Sequence, residues 1–455
     1  MVRGCAALGL ALACAALAAL ACARDSGPPN VLLISLDTTR RDHTSVYGYE
    51  RDTTPNLAKF ASEGVRLALA YAPSSTTGPT HATLFTSLHP ITHRVVKNGR
   101  VLTPPHVTLA ERLRAAGWLT AGVVSSYVLD ARFGYAQGFD HFDDDFDPAS
   151  ATVRNEAWEG AEVEVFDRTA DATTARALDW LDGPRDAGRP FFLFVHYFDP
   201  HAPWVPPAEL ARTFPPAEAG GGGLRVLVAR YDAEIAFADA QLGALLAALE
   251  ERGLAENTLI AITSDHGEGL MQHGHLLHGA QIFEEQVRVP LLLRWPRRLP
   301  AGRVIEGPVS LIDLAPTLLE LVGLGPEPGV PAHGRSLVPV LEGREAVDPE
   351  APIFLFRQHY ERGTDSGTPV AGEQYGVRAG DWKLIFGPEE GTRLLFDVAR
   401  DPRERRDLAA EQPERAEELL RLIAAWRLEH TRPETAPDAI SEEDLERLRA
   451  LGYVQ

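Results

Sequence analysis

Three uninterrupted apolar runs, NVLLISL (30–36), FFLFVHYF (191–198) and TLIAITS (258–264), are each followed at once by an aspartate: Asp37, Asp199 and Asp265. Runs of this kind lack the alternation of a half-exposed strand and predict strands buried on both faces of a parallel sheet. Further strands are expected at 119–125 and 289–295. Between them, helical patterns occupy 55–63, 107–116 (ending at Gly117), 225–253 and 311–322. On the long one, Ile235, Ala238, Leu242, Leu245, Leu246 and Leu249 share one face, which is core packing. The alternation predicts an α/β fold. In open parallel sheets ligands gather beyond the carboxyl ends of the strands, so three strand-end aspartates mark out a site rather than three turns.

A second stretch, SSTTGPTHATLFTSL (74–88), sets small hydroxyl residues before Gly78, Pro79 and an apolar helical pattern. Proline is tolerated in the first helical turn, so Thr77 is expected at or just before a helix N-terminus. There it faces free backbone N–H groups and the positive end of the dipole, a setting that binds phosphate and sulfate. Taken alone, such a hydroxyl is an ordinary N-cap. A third stretch, SDHGEGLMQHGHLLHG (264–279), offers the Asp265 carboxylate and the His266 imidazole together. With Asp37 and the Thr77 hydroxyl they form an oxygen and nitrogen set suited to a divalent metal.

The 455 residues suffice for one large α/β domain and a smaller one. The organisation read from the sequence is a leader at 1–22, a main domain at 28–345, a small α+β subdomain at 350–430, and a linker with a charged terminal helix at 431–455. Strands of the small subdomain are expected near 353–359, 375–379, 382–386 and 394–397, with a helix over 413–430. Residues 143–168 read as an acidic irregular insertion, a surface loop or lid, and Gly220–Gly223 as a hinge. In the leader, Arg3 precedes an apolar run that ends Ala19-Leu20-Ala21-Cys22. That run is too short and Ala-rich for a membrane span and reads as a targeting segment. All three cysteines (Cys5, Cys14, Cys22) lie in it, leaving the exported part without a disulfide or a thiol nucleophile. The net charge of −20 excludes broad nucleic-acid binding, which needs a positive footprint.

In order and spacing, the segments PNVLLISLD, RRDHTSVYGY, GPTHATLFTSLHP, FFLFVHYFDPHAPW, TSDHGEG, FEEQVRVPLLLRWP, LIDLAPTLLELVGL, GDWKLI and LFDVARDPRERRDL resemble the sulfatase branch of the alkaline-phosphatase superfamily. The resemblance spans nearly the whole chain after the leader. It implies a large mixed, mostly parallel sheet flanked by helices, with a smaller C-terminal α+β subdomain. Asp37, Asp265 and His266 fall on the family's metal-ligand positions and Thr77 on its nucleophile, Pro79 setting the register in favour of Thr77 over Thr76. His201 and His278 fall where relatives place substrate contacts or leaving-group acids. His81 joins them around the ester oxygens, with Gly78 and Asn98 expected to bind substrate. The leader's end resembles a bacterial lipobox, which would make Cys22 lipidated and the protein an exported periplasmic or outer-membrane lipoprotein, in contact with the membrane only through that anchor.

Departures from the family pattern carry their own implications. Relatives carry Cys or Ser, oxidised to formylglycine, within C/S-x-P-S-R; this chain has Thr77-Gly78-Pro79-Thr80-His81, and threonine cannot become that aldehyde. The second aspartate after the first strand is Thr38, and a lysine is replaced by His278. Fewer carboxylates and more nitrogen favour Zn²⁺ or Mn²⁺ over Ca²⁺. One metal is expected, because the His partner that a second metal would need four residues after Asp199 is Pro203. The implied activity is hydrolysis of phosphate or sulfate esters, on a small-molecule, glycan or lipid substrate, with metal-activated Thr77 forming a covalent intermediate. Two other readings stay open: a phospho-headgroup transferase at the membrane surface, and a binding module without turnover. His196, inside an apolar strand, reads as a core residue, and His273 and His275 receive no role. Oligomeric state is left open.

Overall fold

The structure, a computed structural model, describes residues 27–145, 154–158, 161–165, 167–183, 185–186, 188–216, 223–365 and 368–431. The leader, residues 146–153, 159–160 and 166 of the 143–168 insertion, most of the glycine hinge and the terminal segment fall outside the described residues. Strands β1 (Asn30–Leu36), β2 (Val65–Tyr71), β3 (Leu119–Val123) and β4 (His141–Asp143) precede a separate antiparallel ribbon of β5 (Arg154–Trp158) and β6 (Ala161–Val165). Then follow β7 (Phe191–Tyr197), β8 (Thr258–Thr263), β9 (Arg288–Arg294) and β10 (Arg303–Ser310). Eight of these strands make one sheet in the order β10-β2-β9-β8-β1-β7-β3-β4. Every pairing is parallel except those of β9 with β2 and β8.

The apolar runs are explained by two cores, one on each face of the sheet. Along β1, Val31 and Leu33 enter one core while Leu32 and Ile34 enter the other. Helices α1 (Pro55–Glu63), α2 (Thr77–Thr86), α3 (Leu109–Ala115), α4 (Ala170–Asp182), α5 (Gly223–Glu251) and α6 (Leu314–Leu321) cover the two faces. Phe85 of α2, Leu113 of α3 and Leu318 of α6 seal the first core; Phe60 of α1, Ala177 of α4 and Leu242 of α5 seal the second. Each fully buried side chain of this size stabilises the fold by about 1.5–3 kcal/mol.

An antiparallel sheet of β11 (Ile353–Asp365), β12 (Thr368–Ala379), β13 (Trp382–Gly387) and β14 (Thr392–Asp397) is backed by α7 (Pro413–His430). It is tied to the main sheet. Phe356 N–H donates to Pro73 O at 2.8 Å, and the buried Lys383 ammonium lies 3.1 Å from Glu284 and 3.0 Å from Glu404.

Several expectations need correction. The stretch 143–168 is not irregular throughout, because β5 and β6 pair within it. The 311–322 helix begins with a 3-10 turn, Leu311–Asp313, in which Ser310 and Asp313 form a capping box. Strands β2, β4 and β10 and helix α4 had no clear sequence signal: β2 carries Arg66 and two alanines, and α4 is rich in Thr, Ala and Asp. Among the described residues no helix is long and apolar enough to cross a membrane.

Candidate active site

β1, β7 and β8 are adjacent and parallel, so their carboxyl ends deliver Asp37, Asp199 and Asp265 to one edge, all buried. The chain leaving β2 brings Ser74–Thr77 to the same edge, where Thr77 is the first residue of α2 and wholly buried. The metal-type donors of Asp37, Asp265 and His266 lie within 4.8 Å of one another.

Each carboxylate has one oxygen tied down and one left over. Asp37 Oδ2 accepts from His196 Nε2 at 3.0 Å, and Asp265 Oδ1 accepts the N–H groups of Thr38 at 3.1 Å and His266 at 2.8 Å. Asp37 Oδ1 and Asp265 Oδ2 are buried with no hydrogen-bond partner. Two such acceptors side by side are costly. Burial and the neighbouring Asp265 raise the Asp37 carboxyl well above its ordinary range, whereas His266, His81 and His196 overcome burial and hold Asp265 below it. Two orphaned carboxylate oxygens and one imidazole fit a divalent cation.

The imidazole protons follow from the acceptors around them. His266 Nδ1 lies 2.9 Å from Gly267 O, and a carbonyl only accepts, so Nδ1 carries the proton. Nε2 is then a bare lone pair, 3.2 Å from Thr77 Oγ1. Burial lowers the His266 pKa to about 3, keeping the ring neutral. The hydroxyl aimed at this nitrogen is that of Thr77, not Thr76. Thr76 Oγ1 is buried without a partner, as are the hydroxyls of Ser74 and Ser75.

Three placements differ from expectation. His81 Nδ1 donates to Thr77 O at 2.9 Å and Nε2 takes the Ser35 hydroxyl at 3.0 Å, so no ring nitrogen is left for an ester oxygen. It stands behind the site, 3.7 Å from Asp265 Oδ2, neutral because burial lowers its pKa to about 4. Gly78 also has no free backbone group: its N–H goes to Asn98 Oδ1 at 2.7 Å and its carbonyl accepts Tyr135 Oη at 2.8 Å. A Cβ there would lie 2.9 Å from Asn98 Oδ1, which is why glycine is needed. The helix N-terminus consequently offers fewer free N–H groups than expected, since Pro79 has none and Thr80 N–H bonds Thr76 O at 3.2 Å. Asn98 thus braces the first turn of α2 through its carbonyl oxygen.

His201 and His278 do cover the site. Their rings are 4.9 Å apart, and the His278 ring is 4.4 Å from that of His266. Glu268 Oε2, 3.4 Å from His278 Nδ1, outweighs burial and raises the His278 pKa. Gly279, at φ +87°, lets the small sheet approach: a Cβ there would lie 3.1 Å from Tyr360 Oη, 3.8 Å from Thr76 Oγ1 and 3.9 Å from Gln358 Nε2.

Two participants were missed by sequence reasoning. His196 is not inert core, since it orients Asp37. Thr38, directly after Asp37, adopts φ 50°, a costly conformation for a β-branched residue. Its N–H to Asp265 and its carbonyl, which accepts Tyr231 Oη at 2.6 Å, hold it there. The only sequence sign of His196 is a basic side chain inside an otherwise apolar strand.

The sulfatase family pattern matches residues 29–324, and the pattern described as N-sulphoglucosamine sulphohydrolase, C-terminal, matches 273–428. Steryl-sulfatase of Mus musculus is 29% identical over 541 aligned residues, covering 92% of this chain and 84% of its own. The structure of a protein in complex with its substrate D-glucosamine-2-N,6-O-disulfate has a TM-score of 0.73 at 23% identity, covering 91% of this chain and 100% of that one. Phosphonate monoester hydrolase of Agrobacterium radiobacter has a TM-score of 0.70 at 26% identity, covering 88% and 96%. By these matches the chain belongs to the sulfatase family and is a hydrolase of sulfate or phosphate esters.

Proposed function

We propose that Thr77 is the nucleophile of a metal-dependent ester hydrolase that prefers phosphoesters. The observation that carries this reading is the Thr77 hydroxyl, 3.2 Å from His266 Nε2, beside two carboxylates with an oxygen each unclaimed. Asp37, Asp265 and His266 would hold one divalent ion, Zn²⁺ or Mn²⁺ before Ca²⁺, with Thr77 alongside. Bound there, the ion would supply the positive charge that makes the hydroxyl acidic and draws electrons from the ester.

Thr77 Oγ1 gives its proton to solvent water, attacks phosphorus in line and forms a phosphothreonine ester as the bond to the alcohol oxygen breaks. His278, held by Glu268, gives a proton to the departing oxygen, and His201 binds the ester beside it. Water then attacks the same phosphorus, returning a proton to His278, and Thr77 Oγ1 leaves and is reprotonated from solvent. Support for phosphate over sulfate comes from the threonine itself, which cannot provide the aldehyde chemistry of formylglycine. His81 and Gly78 act from behind, by fixing α2 and Asp265. We also infer export with lipidation at Cys22, supported by the leader sequence.

The test is turnover of aryl phosphate, aryl phosphodiester and aryl sulfate by the protein from residue 23 onward, with Zn²⁺, Mn²⁺ or Ca²⁺. Phosphoester turnover abolished by Thr77→Ala is the expected result. Sulfate turnover that survives Thr77→Ala would overturn the mechanism while leaving the family untouched.

A further inference from the structure

A cavity of about 540 Å³ opens where the loop after β1, the start of β9 and the end of the small sheet meet. Asp37, Thr77, Asp265 and His266 do not line it. Four arginines do: Arg41, Arg288, Arg378 and Arg403. Arg378 is only 5% exposed, and its Nε and Nη1 are buried with no hydrogen-bond partner. Arg41 Nε and Arg288 Nε are in the same condition.

Carboxylates also line the cavity, but most of their oxygens are engaged by other groups than the three unpartnered guanidinium edges. Asp42 is held by Arg40 at 2.9 and 2.7 Å. Glu284 receives Lys383 at 3.1 Å and Tyr71 Oη at 3.0 Å, and stands 3.9 Å from Arg288. Glu285 Oε1 is held by His273 at 2.7 Å while its Oε2 is buried without a hydrogen-bond partner, and Asp381 lies in the exposed turn at the mouth. Tyr71 and Tyr47 provide ring faces for Arg378 and Arg41, at 5.6 and 4.5 Å, without accepting their N–H groups. Burial and the adjacent Arg288 press the Arg41 pKa down to about 10, the mark of a cation among cations.

Buried guanidinium N–H groups without acceptors are costly, and like charges in a poorly solvated cleft add to the cost. A tetrahedral oxyanion relieves both, because its oxygens match the guanidinium fork. We propose that this cavity is a second anion site, taking a sulfate or phosphate group on Arg41, Arg288 and Arg378. Its volume lies in the range of small-molecule sites, about 300–1,000 Å³, so the group is either free or carried on a sugar-sized body.

The experiment is calorimetric titration of the full chain carrying Asp265→Asn, which disables the other site. Sodium sulfate, sodium phosphate, glucose 6-sulfate and glucose 6-phosphate are titrated against sodium chloride at equal ionic strength. Saturable binding above chloride, weakened about tenfold or more by Arg378→Gln or Arg288→Gln, is the expected result. Tighter binding of the sugar esters assigns the site to an organic ester, and equal or weaker binding to the free anion. Should Arg378→Gln not fold, Arg41→Gln, at the half-buried rim, replaces it. Binding no better than chloride, or binding indifferent to these substitutions, overturns the proposal.

Discussion

His196 Nε2 lies 3.0 Å from Asp37 Oδ2, and both side chains are wholly buried at the carboxyl ends of the central strands. A carboxylate only accepts, so Nε2 carries the proton and directs the other oxygen, Asp37 Oδ1, outward. Ligands positioned in this way typically lose 10–100-fold in metal affinity when the support is removed. His196→Phe is therefore expected to weaken the metal by roughly that factor, and His196→Gln by less. Competition with a coloured chelator measures it. Equal affinity in all three proteins would reduce His196 to packing.

Removal of the metal has a second readout. Asp37 and Asp265 keep two buried oxygens unsatisfied, so a chelator is expected to lower Tm, and Zn²⁺ or Mn²⁺ to restore it. The rise should grow with metal concentration, as for any ligand that binds only the folded state. Thermal denaturation of Asp37→Asn should show little response. A chelator-insensitive wild type would contradict the ligand assignment.

Gly78→Ala places a methyl group 2.9 Å from Asn98 Oδ1 and 3.1 Å from Tyr135 Oη. Both atoms hold the backbone that carries Thr77. Overpacking of this kind costs about 1–3 kcal/mol of stability. The loss of kcat should exceed what that stability loss explains, because the first turn of α2 must tilt. Melting curves and steady-state kinetics on one preparation separate the two effects.

Acid should loosen the small sheet. His89 packs edge-on against Trp426 at 5.2 Å and contacts His430 at 5.0 Å; burial, then His333, lowers its pKa to about 2. A histidine whose pKa is lowered by folding contributes stability at neutral pH. That contribution declines as pH falls below the unfolded value of about 6.5, reaching a loss of about 2 kcal/mol at pH 5. His89→Phe keeps the ring and removes the titration, so its Tm should fall less between pH 7 and pH 5. Trp426 fluorescence reports the change. Parallel pH profiles for the two proteins would rule out His89 as the cause.

How much of this was legible beforehand depends on where the information sits. Runs such as Asn30–Leu36 declare themselves, because a strand with both faces buried needs no polar residue. Their trailing aspartates placed Asp37 and Asp265 at one edge before any coordinates. The antiparallel direction of β9 was not legible, since its residues are as apolar as those of its parallel neighbours. Nor were the duties of His81, Gly78 and His196. Their residue types suit catalysis and packing equally, and only the partners Ser35, Asn98 and Asp37 decide between the two.

Gly279 allows the first strand of the small sheet to reach the residues flanking Thr77, bringing Gln358 and Tyr360 within about 4 Å of where its side chain would begin. The side chains that crowd Gly279 beside Thr76 thus come from some 280 residues further along the chain than Thr77, on a sheet that, among the described residues, adds nothing to the Asp37, Asp265 and His266 cluster. Substitutions in β11 can reshape that wall while leaving Asp37, Asp265 and His266 untouched. Altering the wall and keeping the buried donor cluster are, in this architecture, tasks for separate stretches of gene.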